Sequence, residues 1–242
     1  MRVSAFIRIL LIACALSACT GGRSRELLTE SARPAAAHQI AAKHQLFVAT
    51  TRARSDDRLE VFGGVRAPQV DFASVNITVP SVHKVGQIER RRGKVGDPAK
   101  YFNATDVSVY SETSFRKALA ADIRKRGGRA LIFIHGYNTA FDAAIYRMTQ
   151  IIHDADYPGT PVLFSWASGG KTVDYVYDNN SATAARDSLE ATLRLVADSG
   201  ARRIDIIAHS MGAFLTMEAL RQAAIAGRGE LDGHLGEVIL AA

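Results

Sequence analysis

The sequence predicts an α/β fold of three layers, a mainly parallel sheet between two layers of helices. Three observations predict it. From residue 130 onward, short apolar runs alternate with amphipathic segments, the pattern of strands buried on both faces and of the helices that cover them. Residues 202–224, RRIDIIAHSMGAFLTMEALRQAA, pass from strand to tight turn to helix with a serine at the apex. And 242 residues at 48% hydrophobic content suffice for one domain with a sizeable core.

Residues 1–19, MRVSAFIRILLIACALSAC, carry Arg2 and Arg8 around the start of an apolar run over 9–18. Such a run is too short for a bilayer, which takes about 20 residues as a helix. It reads as an export signal. Its end, Leu16-Ser17-Ala18-Cys19, resembles the lipobox of bacterial lipoproteins. That resemblance implies a signal peptide of residues 1–18 and acylation of Cys19, a membrane partner held through the lipid. Thr20 in place of an aspartate implies sorting to the outer membrane, at the periplasmic face of the cell envelope. The other reading is an ordinary secretory signal cut after Ala18, which leaves Cys19 free. Cys14 and Cys19 are the two cysteines, so the folded part can form no internal disulfide. Residues 19–43, rich in Gly, Ser, Arg and Ala, read as a tether with helical turns around 35–43, and the domain is expected over 44–242.

Within the domain, 46–51 (LFVATT) reads as a first strand. Residues 72–79 alternate, with Val75, Ile77 and Val79 on one face before Pro80, which suggests an outer, half-exposed strand. Residues 84–100 read as loop. Their cluster Glu89-Arg90-Arg91-Arg92-Gly93-Lys94 is the densest in a chain of net charge +6; a solvated loop explains it better than an anion site. No nucleic-acid module is visible. Phe115, Leu119 and Ile123 at helical spacing place a helix over 114–126, stopped by Gly127-Gly128. Then come strand 130–134, a helix over 141–152 started by a Thr139/Asp142 capping box, strand 162–166, one long helix over 178–197 with Asp178 as its N-cap, strand 204–208, the helix after Ser210 with Phe214, Leu215, Met217 and Leu220 as its apolar residues, and strand 237–242.

The serine turn carries the chemistry. A nucleophile lifted between strand and helix needs small residues two before and two after it. Here Ala208-His209-Ser210-Met211-Gly212 fits, with one methyl more than G-x-S-x-G. The alternative is a plain strand-to-helix turn with an exposed serine. His209 reads as filler, because strand alternation turns its side chain away. His135-Gly136-Tyr137-Asn138 follows the 130–134 strand, at the same sheet edge as Ser210. Gly136 lets the backbone approach, so the Tyr137 and Met211 amides could form a two-donor oxyanion hole; otherwise it is a glycine turn whose histidine packs. Trp166 either walls the pocket or packs the rim.

HGYN after a strand, FSWAS after the next, the Tyr175…Asp178 helix start, and AHSMG followed by EVILAA resemble bacterial α/β hydrolases of the esterase/lipase superfamily, a family of uncharacterised function. The resemblance covers about residues 44–242. It implies Ser210 as nucleophile, the HGYN turn as oxyanion loop, a small acyl substrate, and no metal or other cofactor. In this fold the triad acid and histidine follow the serine. The candidates Asp232 and His234 precede the 237–242 strand, which puts them at the opposite edge. The expectation is therefore a hydrolase domain without its last strands and helices, acting on a carboxylic ester through an acyl-enzyme, impaired as it stands. The alternative is a lipid-anchored envelope protein that uses the fold as a non-catalytic binding module; a transferase is the third reading.

Overall fold

The computed structural model describes residues 25–91 and 93–242; the leader, Cys14, Cys19 and Arg92 lie outside the described residues. Seven strands form one sheet: β1 (Ile40–Arg54), β2 (Phe62–Pro80), β3 (Asn103–Tyr110), β4 (Arg129–Ile134), β5 (Thr160–Ser165), β6 (Arg203–His209) and β7 (Leu235–Ala241). Their order across the sheet is β3-β2-β1-β5-β4-β6-β7. β1, β2 and β3 pair antiparallel. Every pairing from β1 through β5, β4 and β6 to β7 is parallel. The helices are α1 (Glu112–Lys125), α2 (Phe141–Asp154), α3 (Tyr175–Ala184), α4 (Arg186–Asp198), α5 (Met211–Ile225) and a short α6 (Glu230–Gly233).

Strand alternation builds the two cores. Ala130, Ile132 and Ile134 of β4 face one layer, where Phe115 and Leu119 of α1, Leu189 and Leu193 of α4, and Leu215 and Ala219 of α5 pack. Leu131 and Phe133 face the other, against Phe141, Ile145, Met148 and Ile152 of α2. β1 and β6 divide in the same way. Burying one Leu, Ile or Phe side chain contributes about 1.5–3 kcal/mol, so this two-sided pattern fixes the register of each strand.

Several expectations are corrected. The segment read as tether is held against the domain near its described start: Leu27 is buried in the α2-side core and its carbonyl accepts from the Tyr146 hydroxyl, while most of 30–38 is exposed. Instead of helical turns over 35–43 there is one 3-10 turn, Ala37–Gln39, and then β1. β2 is second from the edge, and its 72–80 half is almost wholly buried, because β3 covers its outer side. Pro68 falls where the β1–β2 register jumps from Thr50↔Asp71 to Arg52↔Arg66, a bulge that asks no ladder bond of it. Two arginines of the cluster are not solvated, although Lys94 is exposed. Arg90 pairs with buried Asp142 and Arg91 with Glu26, at side-chain exposures of 10% and 9%. The capping box is absent, since Ala140 caps α2 and Asp142 is occupied by Arg90. The long helix is two helices, broken at Ala185. On α5, Phe214 and Met217 point outward; Leu215, Thr216 and Ala219 face the sheet.

Candidate functional site

The register aligns Ala49 of β1, Phe164 of β5, Ile134 of β4 and Ala208 of β6 near one end of the sheet. The loops that follow β4, β5 and β6 therefore meet on one rim. Ser210 stands at its centre. It is exposed, with φ 51° and ψ −123°, a left-handed region that costs a non-glycine residue roughly 1–3 kcal/mol. The surroundings enforce it. The Ser210 amide donates to the Ala241 carbonyl at 2.7 Å, and its carbonyl accepts from Ala213 as α5 begins. Its hydroxyl has no hydrogen-bond partner among the described residues.

The small residues are there for close approach. A methyl added to Gly212 would lie 2.7 Å from the Ile134 carbonyl oxygen, and nearer still to that of His135. A methyl on Gly136 would lie 2.6 Å from His209 Nδ1 and 3.1 Å from Ser210 Cβ. Ala208 fits with its methyl fully buried. So the turn after β4 and the turn after β6 touch at Gly136 and Ser210. His209 is half-buried beside that contact; burial and the Arg147 charge lower its pKa, which keeps it neutral.

The turn 135–139 is tied down almost atom by atom. The His135 carbonyl accepts from Trp166 Nε1 at 2.8 Å. His135 Nδ1 bonds the Gly136 carbonyl at 2.9 Å; a carbonyl only accepts, so Nδ1 carries the proton and Nε2 is the acceptor. The Tyr137 carbonyl accepts from Thr139 Oγ1 and the Thr139 amide donates to Ser168 Oγ. Asn138, at φ 53°, donates its amide to Asp178 Oδ2 at 3.0 Å. The Tyr137 hydroxyl donates to the Thr172 carbonyl. The Tyr137 amide has no acceptor among the described residues, and Met211, first residue of α5, has the orphan amide of any helix start.

Two expectations change here. Trp166 does not wall a pocket: it is fully buried and stacks on His135, centroids 5.0 Å apart, beneath the turn. Asp178 is not an N-cap. It sits inside the first turn of α3, fully buried, and accepts from Ser168 Oγ (2.6 Å), Gly169 N (2.6 Å) and Asn138 N. His234 Nδ1 bonds the Ala201 carbonyl and its own carbonyl accepts from Ile204, so Asp232 and His234 belong to the amino end of β6, away from Ser210.

Sequence reasoning missed Arg52. It is 1% exposed and all five N–H groups have acceptors: Ser165 Oγ at 2.8 Å, the Gly63 and Ser168 carbonyls at 2.9 Å, the Thr139 carbonyl at 2.6 Å and His135 Nε2 at 3.4 Å. Burial lowers its pKa to about 10, with Asp178, Asp142 and Glu60 opposing the fall, so it stays charged. Burial first and then Arg52 push His135 down to about 3. Among the described residues no group of three or more His, Cys, Asp or Glu could hold a metal, and no helix is long and apolar enough to cross a membrane.

A mixed sheet covered on both faces, with a strained serine between a parallel strand and its helix, defines an α/β hydrolase. The chain belongs to the family described as alpha/beta hydrolase of unknown function (DUF900), whose model matches residues 111–242, from the N-cap of α1 to the end of the chain given. β1, β2 and β3, and Arg52 with them, precede the matched residues. No curated protein and no solved structure matches the chain.

Proposed function

We propose that this protein is a serine hydrolase that cleaves a carboxylic ester, or a related acyl bond, through an acyl-enzyme on Ser210. The observation that carries the reading is the strained, exposed Ser210 in contact range of Gly136. In the proposed reaction Ser210 Oγ adds to the ester carbonyl and passes its proton to solvent water. The Tyr137 and Met211 amides hold the oxyanion, each contributing about 3–4 kcal/mol in the transition state. The carbon–oxygen bond to the leaving alkoxide breaks and the alkoxide takes a proton from solvent; water then adds to the acyl-enzyme, releasing the acid and restoring the Ser210 hydroxyl. No base touches the Ser210 hydroxyl among the described residues; the hole and binding by themselves would give roughly 10³–10⁴ over water.

The test is p-nitrophenyl acetate and butyrate turnover, with fluorophosphonate labelling, for the chain and for Ser210→Ala. Loss of both signals in the variant supports the reading; equal rates and equal labelling overturn it. The missing base contact favours a second reading, a binding module on the same fold, and equal background rates would support that one. The lipobox at 16–19 supports a bacterial lipoprotein anchored through Cys19 in the cell envelope, on the periplasmic face of the outer membrane. Labelled palmitate should enter the wild-type chain and not Cys19→Ser; a free, alkylatable Cys19 in mature protein would refute the anchor.

A further inference from the structure

We propose that Arg52 and Asp178 are the positioning residues of the oxyanion loop, holding 135–139 so that the Tyr137 amide is left as its unused donor; the proposal rests on Ser210 being the nucleophile. Arg52 reaches the turn from β1 and takes its acceptors, the Thr139 carbonyl and His135 Nε2. Asp178 reaches it from α3 and takes a donor, the Asn138 amide. The two grips flank Tyr137 in sequence. They are also joined to each other: Ser168 accepts from Arg52 through its carbonyl and donates to Asp178 through its hydroxyl.

Charge explains why a pair is needed. Hydrogen bonds to an ionised partner are roughly twice as strong as neutral ones, so each residue stiffens the turn more than a neutral side chain could. A lone buried carboxylate beside the hole would oppose the oxyanion. Asp178 is answered by three donors and by the Arg52 charge. A lone buried guanidinium would be costly in turn, and Arg52 has an acceptor for every N–H. Asparagine at 178 would set an NH2 against one of the amides that the carboxylate now receives. Lysine at 52 keeps the charge but loses the planar fork. Both changes free the turn without emptying the core.

Asp178→Asn and Arg52→Lys in the full chain test this, with Arg52→Met as a harsher variant. Because a displacement of about 1 Å can cost on the order of 10²-fold, kcat on p-nitrophenyl acetate should fall about 10–100-fold while KM changes less than about threefold. Amide exchange of a peptide covering 135–139 should speed up about tenfold or more, with β6 peptides unchanged. Folded variants with unaltered exchange in that peptide overturn the proposal, as does a rise in KM at constant kcat. Should Arg52→Met fail to fold, Asp178→Asn decides. Should wild type and Ser210→Ala turn over equally, the hydrolase reading falls by itself, and exchange at 135–139 still judges whether this pair holds the turn.

Discussion

Replacing Gly212 with alanine sets two effects of opposite sign against each other. Alanine favours helix over glycine by about 1 kcal/mol, and Gly212 is helical, so propensity alone predicts a more stable protein. The structure predicts the reverse. The new methyl would lie 2.7 Å from the Ile134 carbonyl oxygen and closer still to that of His135, where carbon–oxygen contacts run at about 3.3 Å. The overlap of roughly 0.6 Å or more is with backbone of β4, which cannot swing aside, so the start of α5 must move. Overpacking of this kind costs about 1–3 kcal/mol. The net expectation is destabilisation of up to about 2 kcal/mol, or a fall of up to roughly 8 °C in Tm for a domain of this size. The shift also carries the Met211 amide with it, so fluorophosphonate labelling of Ser210 should slow by about 10²-fold. Thermal unfolding and single-turnover labelling of Gly212→Ala against wild type check both. A variant with raised Tm and unchanged labelling would refute the claim that this contact sets the elbow.

Three further outcomes are expected. Ser210→Gly should raise stability in urea by about 1 kcal/mol, because glycine adopts φ 51°, ψ −123° without the strain, whereas Ser210→Ala should not; equal stability of the two variants would argue against a strained serine. Burial opposes the charged form of His83, but its ring bonds to Asp154 and Glu89, each at 2.7 Å, outweigh burial and raise its pKa above 6.5. Its stabilisation is therefore full below pH 6.5 and fades as pH climbs through the raised value, so the stability gap to His83→Gln should narrow as pH rises above 6.5, and a constant gap would contradict this. Trp166→Phe should cost about 1–3 kcal/mol by leaving the His135 carbonyl without its donor; a change within a few tenths would show that bond to be idle.

Sequence legibility follows the strength of the pattern. β4, β5, β6, α1 and α2 are readable because their apolar residues keep a period that one buried face dictates. The first half of β2, FGGVRAPQVD, is not: Gly63, Gly64 and Pro68 read as breakers, and only pairing with β1 makes them a strand. β3 is an edge strand whose exposed Thr105 and Asp106 hide its alternation. The break at Ala185 lies among Ala182, Ala184 and Ala185, where the best helix former gives no sign of a stop. Ser210, Gly212 and Gly136 can be found because steric demand leaves few alternatives. Asp178 is misread since an acid at a helix start suits a cap equally well, and the amides it serves are 9 to 40 residues away. Arg52 leaves one clue: it continues the inward parity of Leu46, Val48 and Thr50 in β1, where an arginine is costly unless its fork is fully used.

Trp166 is the chain's single tryptophan, and it lies sealed beneath His135. Its emission should thus be blue and sheltered from quenchers, and any event that loosens the turn above it will be visible as a red shift. The protein carries a native optical gauge of the rim around Ser210, usable without a dye and without a substrate.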